Sequence, residues 1–448
     1  MIERLGVCLF GLTLILGLAG SADAKDIYVS SETGANNNPG TKEEPLKLLW
    51  KAMNSMEAGD TIHVAEGVYH GQKKLGVMPK ITVGQVTIEG GWAKDFSARD
   101  PFKHLTIISA AADRQGTTSE VFSFEDSSGK GCPIVLDGFL IDRGQGNYYS
   151  GKGEGGTSVV EGHVDTSCWG YQAINKKKSG SDPAIELLGR GSFTVRNMIM
   201  VNNPWWGIYV KAGGDGEVVI ENNLVLSYQG RGIEAIAGGG WGKPKFVIRN
   251  NTVACGDDME GRALSIDPRS SYSGSYLVEN NVFAFGMQSG IMNKFGMETL
   301  NLQNNLFFGF KGGDMGDGGS PVCNAQDFED ELDCNNAGNV HEVPEFLAKV
   351  PQAWFDRFTQ WKGMLSQFCT SDEIMAARAK NGLGAYELPF YPGKTYGSYS
   401  ELPQERVNFG MSRFPAPCKK GEEVLDWSRD VLPMIGADGE RGIQPFKG

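Results

Sequence analysis

Histidine is scarce in this 448-residue chain: five residues, at positions 63, 70, 104, 163 and 341, with no zinc-ligand spacing among them. A phosphate-binding loop, a dinucleotide fingerprint and a G-x-S-x-G elbow are all missing. That removes the usual signs of nucleotide-dependent and serine-hydrolase chemistry. Basic runs are missing too, apart from Lys176-Lys177-Lys178, and the formal charge is −12. Such a chain is a poor nucleic-acid partner. Long apolar runs are confined to Leu5–Leu18, which follows Arg4 and precedes the small-x-small sequence Ala22-Asp23-Ala24. This run is short for a membrane span and reads as an export signal over residues 1–24, with the mature chain starting at Lys25. The cleavage point carries no cysteine, so a lipid anchor is not indicated. No later segment is apolar enough to cross a bilayer. The expectation is a soluble extracellular or periplasmic protein of formal charge −11.

Helical periodicity is missing from the centre of the chain, and a repeat stands in its place. Val195-Arg196-Asn197 recurs as Ile220-Glu221-Asn222-Asn223, Ile248-Arg249-Asn250-Asn251, Val278-Glu279-Asn280-Asn281 and Leu302-Gln303-Asn304-Asn305. The lead asparagines are 25, 28, 30 and 24 residues apart. After each one comes a second short strand pattern, such as Gly207-Ile208-Tyr209-Val210-Lys211 or Gly232-Ile233-Glu234-Ala235-Ile236. Strand-period repeats of this length predict a parallel β-solenoid with coils stacked about 4.8 Å apart. Equivalent asparagines then form a ladder, because Asn tolerates left-handed turns and bonds its neighbour in the stack. Ile208, Val210, Ile233, Ala235, Leu264, Ile266 and Ile291 are expected inside. Two outward columns follow by alternation: Tyr209, Glu234, Ser265 and Met292, and Lys211, Ile236, Asp267 and Lys294.

Earlier in the chain, Asp26–Ser30 reads as a first strand. Glu44–Met56 reads as an amphipathic helix capping the open apolar end, and Asp60–Val64 as the next strand. The run Tyr28-Val29-Ser30, Asn38-Pro39-Gly40-Thr41, Glu44-Pro45, Gly59-Asp60-Thr61-Ile62-His63-Val64 and Gly67-Val68-Tyr69 resembles the N-terminal block of secreted right-handed parallel β-helix proteins of the pectate-lyase-like superfamily. With the repeats, the resemblance covers residues 26–320. It implies an all-β fold, a right-handed parallel β-helix with an N-terminal capping helix. It leaves activity open, since that superfamily includes lyases, hydrolases, epimerases and proteins without known chemistry. Residues 143–182, rich in glycine and polar residues, form an insertion between coils. Residues 321–448 read as a partly helical, loop-rich C-terminal cap or small extra domain. It has helices over Pro351–Phe368 and from Ser371 to about Lys380, and strand endings near Gly384–Glu387 and Ile435–Asp438.

Export favours disulfides. Cys323 and Cys334, flanking an acidic loop, are the best-placed pair. Cys132–Cys168 and Cys369–Cys418 come next by proximity, although spacing does not fix connectivity. Cys255, in a repeat strand, is the odd buried thiol.

The resemblance implies a candidate chemistry: β-elimination on an acidic polysaccharide, in which calcium absorbs charge from the substrate carboxylate and a Lys or Arg removes the neighbouring proton. The residues that suit it cluster in sequence. Asp257, Asp258 and Asp267 are the candidate calcium ligands, and Lys294 and Arg269 the candidate catalytic cations. Lys211, Tyr209, Glu234, Trp206 and Trp241 are candidate substrate contacts, the tryptophans as flat platforms for sugar rings. The paired acids Asp257-Asp258 resemble those of polygalacturonase-like hydrolases, but the companion Gly-His-Gly and Arg-x-Lys signatures are absent. The alternative function is a non-catalytic glycan-binding or structural β-helix of the envelope or extracellular space.

Overall fold

The computed structural model describes residues 24–109, 120–126, 133–142, 183–203, 206–228, 230–238, 242–256, 261–266, 274–286, 288–293, 299–310, 312–316, 321–328, 334–349, 372–384 and 437–447. The export signal, the insertion 143–182, the expected helix over 351–368 and the cysteine pairs 132/168 and 369/418 lie outside these residues.

Three long sheets wrap around one core. The first has ten strands, from Asp26–Val29 through Phe193–Arg196, Glu217–Glu221, Lys245–Arg249 and Ser275–Glu279 to Asn335–Ala337. The second has nine, from Gly67–Tyr69 through Leu224–Tyr228 and Thr252–Gly256 to Val340–His341. The third has eight, from Phe122–Asp126 through Ile185–Gly189, Trp206–Ala212, Arg231–Ala237, Arg262–Ile266 and Ile291–Asn293 to Pro321–Cys323. Each coil contributes one strand to each sheet, and every pairing along the stack is parallel except the last rung of the third sheet. This is the expected right-handed parallel β-helix. The predicted inward residues are in register and buried: Ile208 pairs with Ile233, Ile233 with Leu264 and Leu264 with Ile291, none more than 1% exposed.

The turn between the first and second sheets explains the asparagine pairs. The lead asparagine of each repeat (197, 222, 250, 280 and 304) sits at φ between 51° and 56°, the left-handed conformation Asn tolerates, and all but Asn197 begin an asparagine pair. The second of each pair is buried, and at Asn251 the four hydrogen-bonding capacities are all used. Asn251 Nδ2 donates to Asn281 Oδ1 (3.0 Å) and to the Ile220 carbonyl (2.9 Å), while its Oδ1 accepts from the Asn223 backbone N–H (3.1 Å) and Asn223 Nδ2 (2.9 Å). Asn281 and Asn305 repeat the pattern, and Asn223 makes the same two donated bonds while its Oδ1 accepts from the Met198 N–H. Asn339 extends it one coil further, donating to the Leu302 carbonyl and accepting from Asn305. The stack therefore continues past residue 320, with Asn335–Ala337 and Val340–His341 joining the first and second sheets. That coil is harder to recognise in the sequence because Gly338, at φ 67°, replaces the left-handed asparagine.

The capping helix is Leu49–Ser55, shorter than expected, with Leu49, Ala52 and Met53 buried. Leu46 is drawn into extended pairing instead: its N–H donates to the Tyr28 carbonyl at 2.9 Å and its carbonyl accepts from the Ser30 N–H at 2.8 Å. Pro45 disfavours helix at Glu44 before it. In the C-terminal region, the helix Asp372–Lys380 ends at Gly382, φ 71°. Ala437–Asp438 and Arg441–Gly442 form a small antiparallel hairpin. The hairpin and the residues after it run along the half-buried column of lead asparagines. Asn250 Nδ2 donates to the Glu440 carbonyl (2.8 Å), the Gly442 N–H to the Asn280 carbonyl (2.8 Å) and the Gln444 N–H to Asn222 Oδ1 (2.6 Å). No disulfide joins Cys323 and Cys334, contrary to expectation. Both pack against the apolar core, and Cys334 Sγ accepts a weak hydrogen bond from Asn336 Nδ2 at 3.8 Å.

An ion ladder runs along the outer face of the first sheet. His63, Glu89, Asp137, Arg196, Glu221, Arg249 and Glu279 are successive register partners. Glu89 and Asp137, adjacent like charges, are bridged by Arg99, which approaches Asp137 at 2.7 Å and Glu89 at 3.8 Å. Arg196 binds Asp137 at 2.7 Å, and Arg249 binds Glu221 at 2.6 Å. At the N-terminal end His63 meets Glu89 at 2.6 Å and Asp26 at 2.9 Å. Burial disfavours the imidazolium, but the hydrogen bonds it donates to the two carboxylates outweigh that, so its pKa is raised.

Two outcomes are expected. Asn251→Ala strands two donors and two acceptors in the dry turn and should cost on the order of 3 kcal/mol or more in urea unfolding. Asn250→Gly, at a half-buried left-handed position, should cost about 1 kcal/mol at most. Equal losses would show that the buried column is not the special one. Because the folded-state pKa of His63 is raised, its contribution is fully present below the ordinary value near 6.5 and fades as pH rises through the folded value. The unfolding free-energy difference between wild type and His63→Gln should shrink from pH 5 to pH 9, and a pH-independent difference would count against the ion-pair account.

Candidate functional site

The outer face of the third sheet carries the sequence-predicted residues Tyr209, Lys211 and Glu234. Its strands begin after the connections from the second sheet, so residues two apart share a face and equivalent residues of successive coils line up. The expected column is in register: Glu186 pairs with Tyr209, Tyr209 with Glu234, Glu234 with Ser265 and Ser265 with Met292. Its exposure differs from expectation. Tyr209 and Lys211 are half-buried, whereas Glu234 is 5%, Ser265 0%, Met292 1% and Ile236 0% exposed. The face is open over the coils of Ile185–Gly189 and Trp206–Ala212 and closed from Arg231–Ala237 onward. Glu234 is thus a compensated buried acid rather than a surface contact. Arg231 pairs with it at 3.5 Å, and a buried carboxylate requires such a partner.

A compact group surrounds the point where open face becomes closed. The Trp206 ring lies 5.6 Å from Tyr209, and the Arg231 guanidinium sits 5.6 Å from the Trp206 ring on its other contact. Trp206, Arg231 and Arg262 are register partners at the starts of their strands. Arg262 is buried and bonded to Gln288. One coil before Tyr209, Glu186 accepts from Ser123 Oγ at 3.0 Å. Two coils on, Ser265 Oγ is buried without a hydrogen-bond partner.

Of the sequence-predicted residues, Trp206, Tyr209, Lys211 and Glu234 therefore meet on one face. Asp257, Asp258, Asp267, Arg269, Lys294 and Trp241 lie outside the described residues. The register ends at the pair Ile266 and Asn293, the residues immediately before Asp267 and Lys294. Among the described residues no group of three His, Cys, Asp or Glu is placed to hold a metal. Asp314 is not a surface ligand. It is buried, and its Oδ2 accepts from the Ala325 N–H (2.9 Å) and bonds His341 Nδ1 (2.7 Å). Glu186 and Arg231 were not anticipated. Arg231 had a signal, since Gly230-Arg231-Gly232-Ile233 and Gly261-Arg262-Ala263-Leu264 carry Arg at the same distance before an inward residue. Among the described residues no helix is long and apolar enough to cross a membrane.

Comparison with known proteins gives the following. Residues 32–94 match a family described as a protein of unknown function (DUF1565). No curated protein matches. Among solved structures, the chain is similar to pectate lyase Pel9A, with 12% identity, 65% of this chain and 71% of that one covered, and a TM-score of 0.32. It is also similar to the GH136 lacto-N-biosidase from Eubacterium ramulus, with 12% identity, 71% and 68% covered, and a TM-score of 0.23. With three stacked parallel sheets around one core, the chain is a right-handed parallel β-helix, and the family match is confined to residues 32–94.

Proposed function

We propose that the protein is an exported β-helix that acts on an acidic polysaccharide by calcium-assisted β-elimination at the outer face of the third sheet. What supports this reading is the register that ends at Ile266 and Asn293, because the next residues are Asp267 and Lys294. One further rung would set a carboxylate and an ammonium on adjacent strands, about 4.8 Å apart along the backbone. Asp257 and Asp258 follow Thr252–Gly256, the second-sheet strand that feeds the strand bearing Asp267. Three carboxylates are hard oxygen donors of the kind calcium takes, and calcium bound there would neutralise the substrate carboxylate.

The chain's own groups have separate tasks. Lys294 removes the proton next to the uronate carboxylate. The electron pair forms the new ring double bond as the glycosidic oxygen leaves. Arg269 adds the positive surroundings that help the lysine give up its own proton. Trp206, fixed by Tyr209 and Arg231, and Trp241 offer apolar faces to sugar rings, and Lys211 meets a substrate carboxylate on the open part of the face.

A second reading has one observation in its favour. Glu186 and Glu234 flank Tyr209 two rungs apart, about 9.6 Å of backbone. That lies near the carboxyl separation of inverting glycoside hydrolases, roughly 6.5–9.5 Å.

Residues 25–448 offered pectate and alginate should produce ultraviolet-absorbing unsaturated uronates with calcium and none with a chelator. Lys294→Ala and Asp267→Ala should each lower turnover by about 100-fold or more. Undiminished turnover in both variants would place the chemistry elsewhere. Reducing ends without absorbance would favour the two-glutamate hydrolysis. Binding without any product would leave a glycan-binding solenoid.

A further inference from the structure

A second concave surface lies far from the third-sheet face, at the N-terminal end of the helix. It is a cavity of about 900 Å³ between the start of the capping helix, the edge strand Gly67–Tyr69 and the strand Thr106–Ile108. That volume falls in the range that holds a small ligand, roughly 300–1,000 Å³. Its floor is apolar, formed by Leu48, Trp50, Val68, Leu105 and Ile107. Its rim carries five lysines, 47, 73, 74, 94 and 103, against two glutamates, 32 and 66. Three net positive charges thus gather here in a chain of formal charge −12.

The glutamates are already engaged. Glu32 pairs with Lys94 at 2.8 Å, and Glu66 meets His104 at 3.4 Å. Lys47, Lys73 and Lys103 form no ion pair among the described residues and remain directed to solvent. The loop that presents Lys73 is also unusual. Lys73 and Lys74 occupy the centre of a tight turn at φ 52° and 60°, closed by the Leu75 N–H donating to the Gln72 carbonyl at 3.0 Å. Such a turn is ordinarily Asn-Gly, and a lysine in left-handed conformation is strained by its Cβ. Lysine at both central positions is therefore not explained by the turn itself, whereas a need for cationic side chains at that rim explains it.

We propose that this N-terminal cleft is a binding site for an acidic oligosaccharide, separate from the third-sheet face. The occupant follows from charge complementarity combined with the floor. Sugar rings have flat apolar faces that suit Trp50 and its aliphatic neighbours, and their carboxylates meet the unpaired lysines. This inference rests on the reading above that the ligand is an acidic glycan, and it assigns that glycan a second, non-catalytic point of attachment.

The test is calorimetric titration of residues 25–448 with a short oligogalacturonate in the presence of chelator, alongside turnover on polymer with calcium. Lys73→Glu/Lys103→Glu should weaken binding by about tenfold or more, since two exposed charges are reversed. It should leave the elimination rate on short substrate unchanged. Lys380→Glu, an exposed lysine on the helix Asp372–Lys380, should bind like wild type, and a neutral oligosaccharide should not bind. The proposal is overturned if the double variant binds like wild type, if Lys380→Glu loses as much affinity, or if wild type does not bind the probe. Polymer cleavage with unaltered binding in the double variant would sink the cleft alone. Absence of product with charge-dependent binding would sink the lyase reading and leave the cleft standing.

Discussion

The buried asparagine column is the constraint on which the structure depends. Each of Asn223, Asn251, Asn281 and Asn305 lies in a dry turn, where an unsatisfied amide would cost about 1–3 kcal/mol. Each avoids that cost only if the next coil arrives with its own asparagine at the same height and the same turn. A slip of one residue anywhere in the stack would strand donors and acceptors and turn the apolar set outward. The ladder therefore fixes spacing and register together, which an apolar core alone would specify loosely. Asn339 carries the same bonding one coil beyond the last asparagine pair.

With register fixed, the three faces carry different chemistry. The first sheet is laced by ion pairs of alternating sign, and Asp137 is held at once by Arg99, Arg196 and Asn197. The lead asparagines, where they do not bond one another, receive the chain around Glu440–Gln444, which crosses several coils and ties them lengthwise. These devices stabilise and leave little for a ligand. The third sheet, where Trp206, Tyr209 and Arg231 sit beside a buried acid and an orphan hydroxyl, is where polar groups exceed structural need.

Much of this was legible in the chain. The asparagine pairs announced the coil, the strand-period alternation announced the inward set, and the position of Tyr209, Glu234, Ser265 and Met292 in one column followed from both. The ion ladder was equally written there, since Arg196, Glu221, Arg249 and Glu279 occupy one repeat position with alternating sign. Other features were not legible, for physical reasons. Whether Glu234 meets solvent depends on what lies over its face, and alternation within a strand carries no such information. Gln444 binds Asn222 across 222 positions of sequence, a contact no local pattern encodes. The final coil was hidden because glycine serves a left-handed turn as well as asparagine does, which removed the motif while keeping the geometry.

An acidic protein that acts on an acidic polymer faces a repulsion that its local charges must overcome. At physiological salt, screening cuts off charge effects beyond about 8 Å, so the overall −12 matters less than the charges a bound chain touches. Lysines spread evenly would be neutralised by neighbouring carboxylates, as Lys245 is by Glu217 at 2.8 Å. A rim where glutamates already have partners while several lysines do not presents its positive charge locally and undiminished. A solenoid suits such a division, since its stacked coils hold distant surfaces in fixed relation while each is free to vary. On the proposed reading, the polymer's charge would be met where lysines gather at the N-terminal end, and the third-sheet face would be left to position the sugar.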